Sequence, residues 1–171
     1  MIAPVFSTRF PVEDRERLDN LARSTGLTRG AVLRLPKGVT VIDDSYNSSP
    51  SALKLALEVV SRTWATRRVA VIGEMLELGE WSLPLHQECG RAAAGSRLAR
   101  LITIGGPSAR ALGEAAVAAG QAASTVAHFA TSAEAAAAIH GQVTSGDAVL
   151  VKGSRGTRTE VVVEQLMAVF G

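Results

Sequence analysis

A group of acidic, aromatic and amide side chains follows an apolar run near residue 40. The sequence "VTVI" leads into "DDSYN" at residues 43–47. The carboxylate of Asp44 can accept two hydrogen bonds from a ribose diol, and the Tyr46 ring with the Asn47 amide can hold a base. The alternative interpretation is structural: a residue among 47–49 caps the helix that follows, and the acids are solvated. The pattern alone leaves both interpretations open.

A second group, "KGSRGTRTE" at residues 152–160, combines cations with hydroxyl groups at a predicted strand-to-helix turn. Lys152, Ser154 and Arg155, together with backbone N–H groups at the start of a helix, would form a receptor for a carboxylate or a phosphate. The G-x-x-x-x-G-K-[ST] pattern of a P-loop occurs nowhere in the sequence. No segment of the sequence therefore holds a triphosphate and Mg²⁺ unaided.

Three carboxylates lie in the segment "GEMLELGE" at residues 73–80, and they belong to Glu74, Glu77 and Glu80. Carboxylates on one loop can bind Mg²⁺ directly or through water. The spacing favours the alternative, a solvated acidic loop whose apolar side chains fill the core; these are Met75, Leu76 and Leu78. The lone His86 just beyond is more typical of a structural hydrogen bond than of catalysis.

Other chemical motifs are weak or absent. "GGPSARAL" at residues 105–112 is similar to a phosphate-binding turn but lacks the G-x-G-x-x-G spacing, which favours an ordinary strand–helix junction. The sequence contains no Cys/His metal set and no G-x-S-x-G nucleophile motif.

The composition is that of an ordinary globular domain, with 171 residues of which 47% are hydrophobic and 20% are charged. A formal charge of +2 without a Lys/Arg block argues against nucleic acid as a partner. Apolar runs fall short of the roughly 20 residues of a membrane span, and the start does not read as a signal peptide. Together with the single Cys89, these features predict a cytoplasmic protein without disulfides.

Short β-branched runs alternate with helical segments from residue 31 onward. Strands are predicted at 31–35, 39–43, 68–73, 100–105, 125–130 and 147–153. Helices are predicted at about 50–62, 83–95, 108–119, from 131 or 132 to 140, and 157–169. The first two strands flank the turn signal "PKG" and form a hairpin. The expectation is an α/β fold with a doubly wound, mostly parallel sheet and one antiparallel edge strand, whose polar loops share the carboxyl edge.

Four segments in a fixed order resemble the C-terminal domain of the Mur ligases. They are "VIDDSYNSSPSAL", "VAVIGEMLELGE", "LHQECG" and "AVLVKGSRGTRTE", and the resemblance spans residues 28–171. "DDSYN" together with "KGSR" is similar to the type that adds D-alanyl-D-alanine rather than a single amino acid. Ser49 stands where the family pattern has asparagine. Residues 1–27 read as an N-terminal tail or the remnant of a preceding domain.

The resemblance implies one part of a three-domain bacterial, cytoplasmic ligase of peptidoglycan biosynthesis. The first domain of such ligases binds the UDP end of the substrate. A central P-loop domain binds ATP and Mg²⁺ and makes an acyl phosphate. A Rossmann-like C-terminal domain of six strands covers the nucleotide and presents D-Ala-D-Ala, which is joined to UDP-MurNAc-tripeptide.

Because the UDP-binding and ATPase domains are missing, the isolated chain is expected to be inactive, as a fragment or a truncated form of the ligase. The alternative is a stand-alone, non-catalytic binding module derived from this domain.

The resemblance also implies roles for individual residues. The implied nucleotide contacts are Arg29, Asp44 at the ribose, and Tyr46 and Asn47 near the adenine. The implied D-Ala-D-Ala contacts are Lys152, Ser154 and Arg155. Within the isolated chain, neither a catalytic residue nor a metal ligand is implied.

Overall fold

The computed structural model describes residues 31–171, which form six strands and five α-helices; after the first two strands, strands and helices alternate. The strands are β1 (Ala31–Arg34), β2 (Thr40–Asp44), β3 (Arg67–Gly73), β4 (Arg100–Ile104), β5 (Val126–Phe129) and β6 (Asp147–Lys152). The helices are α1 (Pro50–Arg62), α2 (Ser82–Ala94), α3 (Pro107–Ala118), α4 (Ser132–Ala138) and α5 (Glu160–Phe170). Residues 1–27 and Arg29, for which the sequence makes predictions, lie outside the described part.

The strands form one sheet in the order β1-β2-β6-β3-β4-β5. The pair β1–β2 is antiparallel, and all other neighbouring strands in this sheet are parallel. Strand β6, "DAVLVK", is buried along its whole length, as expected of a central strand covered on both faces. The predicted Rossmann-like sheet with one antiparallel edge strand is confirmed.

Helices cover both faces of the sheet and create two hydrophobic cores. Leu53 of α1, Cys89 of α2 and Leu112 of α3 belong to one core. Ala135 of α4 and Leu166 of α5 belong to the other. Since β2, β3, β4, β5 and β6 run in the same direction, the loops that follow them all leave at one edge of the sheet.

The last helix begins later than its sequence pattern predicts. Residues Arg155–Thr157 form a 3₁₀ turn, and α5 begins only at Glu160. The Thr157 amide and hydroxyl both donate to the Ser154 carbonyl, which closes a tighter turn than an α-helix allows. Arg158 then adopts a left-handed backbone conformation, with φ 55° and ψ 42°.

Helix α4 begins as predicted, because Thr131 and Glu134 form a reciprocal capping box at its start. It is followed by a 3₁₀ turn at Ile139–Gly141. Within residues 31–171, every helix is too short or too polar to cross a membrane.

Candidate functional site

Three loops at the carboxyl edge of the sheet are tied together by hydrogen bonds. The Leu76 amide, after β3, donates to the Ser154 hydroxyl, after β6, at 2.9 Å. The Ser154 amide donates to the Glu74 carbonyl at 3.3 Å. The Glu74 side chain in turn accepts from the Gly106 amide, after β4, at 2.7 Å. These bonds connect residues 73–80, 105–108 and 152–158. Lys152 connects residues 43–50 to the same edge by donating to Asp44 and to the Asn47 carbonyl, and the four segments together are called the rim below.

A buried ion pair joins the ends of β2 and β6. Asp44 and Lys152 are register partners in the parallel pair, and Lys152 Nζ lies 2.6 Å from Asp44 Oδ2. Lys152 also donates to the Asn47 carbonyl at 2.8 Å. The two side chains are only 3% and 5% exposed. Burial raises the pKa of the Asp44 carboxyl, because its lost hydration outweighs the hydrogen bond and the charge supplied by Lys152.

A second link between the same two loops lies at the surface. The guanidinium carbon of Arg155 is 5.4 Å from the centre of the Tyr46 ring, within the range of a cation–π contact. Tyr46 is 49% exposed, and Asn47 is exposed beside it. An exposed ring next to a cation and an amide suits a planar, electron-rich base. Asp44 is less accessible than either residue, because one of its oxygens already faces Lys152.

The two interpretations of residues 43–49 each apply to different residues. Ser49 is the N-cap of α1, since its hydroxyl accepts from the Ala52 amide at 3.3 Å. The Asn47 carboxamide oxygen accepts from the Ser48 amide at 2.8 Å instead and does not cap the helix. The helix cap and the exposed aromatic–amide pair therefore coexist in one loop.

The loop after β3 differs in part from its prediction. Met75 is buried, as expected, but Leu76 is exposed and lies over Gly156, which has no side chain to exclude it. Glu74 caps α3 from across the rim, because its carboxylate accepts from the amide of Gly106, the N-cap residue of that helix. Among the described residues, acidic, cysteine and histidine side chains do not form a group of three or more suited to a metal ion.

His86 has the structural role that the sequence favours. It is fully buried in α2, with Nε2 accepting from the Met75 amide at 2.9 Å. Nδ1 lies 2.7 Å from the Ser82 carbonyl, to which it donates. This pair of bonds requires the neutral imidazole with its proton on Nδ1. His86 therefore anchors the loop after β3 to the first turn of α2.

A crevice of about 480 Å³ opens on the rim beside these contacts. It is lined by Glu74 and Leu76, by residues 104–106, by residues 130–133, and by residues 156–158 with Val161. Most of the lining side chains are small: glycine, alanine, serine and threonine. The Glu74 carboxylate and the Arg158 side chain give it opposite charges. Its volume lies in the range of roughly 300–1,000 Å³ typical of small-ligand sites.

All the predicted site residues that lie within residues 31–171 are on the rim. Asp44, Tyr46, Asn47, Lys152, Ser154 and Arg155 lie there, and Arg29 is outside the described part. The side chains of Lys152 and Ser154 bind internal partners, whereas that of Arg155 is exposed.

Sequence reasoning missed the cap made by Glu74 and the position of Arg158 at the crevice. The sequence signal for the Glu74 contact was the glycine pair before Pro107. The structure explains the glycine at position 105, because a Cβ there would lie 2.7 Å from Glu74 Oε2.

Comparisons with known proteins agree on one family. The family described as "Mur ligase, glutamate ligase domain" matches residues 28–155. The UDP-N-acetylmuramoyl-tripeptide–D-alanyl-D-alanine ligase of Bacillus subtilis is 30% identical over 144 residues, which are 84% of this chain and 31% of that protein. The ligase of the same name from Mycobacterium tuberculosis H37Rv is 35% identical over 148 residues, 77% of this chain and 29% of that protein.

Solved structures give the same result. A MurF ligase from Thermotoga maritima in complex with ADP superposes with a TM-score of 0.68 at 28% identity, over 83% of this chain and 31% of that one. MurF from Acinetobacter baumannii gives a TM-score of 0.70 at 29% identity, over 82% and 30%. The chain thus spans about a third of the length of the relatives it matches.

Proposed function

This chain belongs to the Mur ligase family, and we propose that its residues 28–171 are the nucleotide- and acceptor-binding domain of a ligase that joins D-Ala-D-Ala to UDP-MurNAc-tripeptide. In the proposed reaction, ATP transfers its terminal phosphoryl group to the carboxylate of the tripeptide and leaves as ADP. The amine of D-Ala-D-Ala then attacks the acyl carbon of the acyl phosphate. A C–N bond forms, the C–O bond to phosphate breaks, phosphate leaves with the electron pair, and the amine loses a proton.

The part of the rim at β2 and β6 is the proposed nucleotide contact. The Tyr46 ring and the Asn47 amide would hold the adenine, with Arg155 close to the ring. Asp44 would contact the ribose through the carboxylate edge that does not face Lys152. Arg29 remains the predicted contact to the ribose or phosphates. Mg²⁺ would be bound with the triphosphate mainly by the P-loop domain that the resemblance implies.

The crevice is the proposed place of the dipeptide. Its small lining residues leave room for two alanine residues, and its hydroxyl groups and charges suit a short zwitterion. Lys152 and Ser154 serve this site indirectly, since their side chains hold the surrounding loops in place. None of the three residues predicted to face the dipeptide lines the crevice, and of the three only Arg155, next to the lining residue Gly156, has an exposed charge.

The main observation in support of the proposal is that the proposed nucleotide contact and the crevice lie on the same rim. On one side, the end of β6 contacts Asp44 through Lys152, and the turn that follows contacts Tyr46 through Arg155. On the other side, residues 156–158 of the same turn line the crevice. A domain that brings a nucleotide and an amine to the same edge can orient them when it closes over the acyl phosphate and excludes water.

A chimeric ligase tests the proposal. The full 171-residue chain would replace the C-terminal third of the Thermotoga maritima relative, and product would be followed by mass spectrometry and phosphate release. We expect UDP-MurNAc-pentapeptide to form only with ATP and D-Ala-D-Ala present. A chimera that binds both ligands without forming product would favour the non-catalytic binding module instead.

A matched pair of variants separates the nucleotide contact from general effects. Tyr46→Ala should raise the KM for ATP about tenfold, since loss of base stacking costs about 1–3 kcal/mol. Trp64→Ala, which removes another exposed ring at the amino end of β3, should leave that KM unchanged. Equal effects of the two variants would contradict the assignment of Tyr46.

A further inference from the structure

Arg158 has a backbone conformation that its residue type does not favour. Its φ of 55° and ψ of 42° are left-handed, a region in which glycine or asparagine is usual. The conformation is fixed between the Arg158 amide, which donates to the Arg155 carbonyl, and the Arg158 carbonyl, which accepts from the Val161 amide. A non-glycine residue held in this region is frequently retained for what its side chain does.

The Arg158 side chain stands at the crevice with its charge exposed. It lines the crevice and is 74% exposed. Within residues 31–171 its one ion pair joins Nε to Glu160 Oε1 at 3.6 Å, which is too long for a hydrogen bond. The planar fork of the guanidinium is thus open to a carboxylate, in contrast to the ammonium of Lys152, which is buried and donates to Asp44 and to the Asn47 carbonyl.

The opposite charge across the crevice is that of Glu74. One carboxylate oxygen of Glu74 accepts from the Gly106 amide, and this fixes the carboxylate at the crevice wall. A zwitterionic dipeptide placed between the two residues would have its carboxylate at Arg158 and its amino end beside Glu74. Bidentate pairing of a guanidinium with a carboxylate is strong and geometrically selective.

From this arrangement we infer that Arg158 is the residue that selects acceptors with a free C-terminal carboxylate. The inference rests on the proposed function and goes beyond it, because it assigns the carboxylate to a residue that the sequence motif did not single out. It also gives a reason for arginine at a position whose backbone favours glycine.

Two variants at this position separate recognition from folding. Arg158→Gly removes the guanidinium and relieves the left-handed backbone, so its melting temperature should equal or exceed that of the wild type. Arg158→Gln keeps a long polar side chain without the charge. Arg97→Gly is the matched control, because Arg97 is also an exposed arginine with a left-handed φ of 54° but precedes β4 at the far edge of the sheet.

The readout is the KM of the chimeric ligase for D-Ala-D-Ala and for its C-terminal amide. The wild type should prefer the acid at least tenfold. In both Arg158 variants, the KM for the acid should rise about tenfold, kcat should change less than about threefold, and the preference for the acid should disappear. Arg97→Gly should shift the melting temperature in the same direction as Arg158→Gly and keep the wild-type KM values.

Two outcomes overturn different claims. An active chimera whose acid preference survives both Arg158 substitutions overturns the role of Arg158 and leaves the proposed function intact. A wild-type chimera that makes no product counts against the proposed function. The 171-residue chain would then be titrated with D-Ala-D-Ala by NMR, and either no shifts at Gly105 and Gly106, or equal affinity in Arg158→Gly, would overturn the inference.

Discussion

Replacing Lys152 by methionine should cost more stability than any surface change, and the cost should depend on pH. Methionine keeps most of the side-chain volume but leaves the Asp44 carboxylate buried without its cation. Breaking a buried pair by removing one partner costs about 3–5 kcal/mol, because the remaining charge loses its compensation. For a chain of this length, that corresponds to a fall in melting temperature of roughly 10 °C.

The pH dependence follows from the direction of the Asp44 shift. Burial holds the folded-state pKa of Asp44 above its unfolded value, and Lys152 limits that rise. A carboxyl with a raised folded-state pKa stabilises the fold most below its unfolded pKa of about 4 and loses that contribution as pH rises through the folded pKa. Without Lys152 the folded pKa rises further, so the loss continues to higher pH, with a slope of at most about 1.4 kcal/mol per pH unit.

Urea denaturation from about pH 4 to about pH 8 measures this directly. The wild type and Lys152→Met should have similar stability near pH 4 and diverge by about 3 kcal/mol near pH 7.5. The double variant Asp44→Asn/Lys152→Met should recover at least half of the loss at neutral pH, because it leaves no buried charge. Stability curves that run parallel over the whole pH range, or a loss under about 1 kcal/mol at pH 7.5, would refute the reasoning.

Three other changes have defined outcomes in the same denaturation assay. Ser48→Ala should be neutral or stabilise by up to about 1 kcal/mol, since the buried Ser48 hydroxyl has no hydrogen-bond partner among the described residues; a loss above about 1 kcal/mol would contradict this. Gly105→Ala should destabilise the fold by about 1–3 kcal/mol more than Gly120→Ala, because both glycines have a positive φ but only at Gly105 would a Cβ meet another side chain. Equal losses would contradict this, because they would mean that the Glu74 side chain moves aside at little cost. His86→Ala should cost about 3 kcal/mol by leaving a cavity and an unpaired Met75 amide, and a change under about 1 kcal/mol would contradict its anchoring role.

The secondary structure was largely predictable, because local signals specify it. The strands are apolar, β-branched runs, as expected for strands that are covered by helices on both faces of the sheet. Helix α1 spans the predicted residues because Ser49 caps it and proline fits its first turn. The prediction of the last helix was wrong at its start. Its sequence is compatible with a helix from residue 157, but the Thr157 hydroxyl offers a competing bond to the Ser154 carbonyl.

The clustering of the site was predictable, but the partners of its residues were not. Parallel strands bring their carboxyl ends together, so the sequence was enough to place Asp44, Tyr46, Lys152 and Arg155 on one rim. The pairing of Lys152 with Asp44 joins residues 108 positions apart in the chain and depends on the register of β2 against β6. A motif shows that a lysine is required, but it does not show whether its ammonium faces a ligand or a buried carboxylate.

In the proposed function, the segment from Lys152 to Arg158 serves both ligands. Its side chains divide between the interior and the surface: Lys152 and Ser154 bind Asp44 and the loop after β3, while Arg155 and Arg158 are exposed. The two buried contacts restrict the backbone, so the exposed cations are positioned before any ligand arrives. A site whose loops are already fixed loses less conformational entropy on binding, and ligand contacts then contribute more of their energy to orienting the reacting groups. On this argument, Lys152→Met should weaken both nucleotide and dipeptide binding without contacting either, whereas Arg158→Gly should weaken the dipeptide alone.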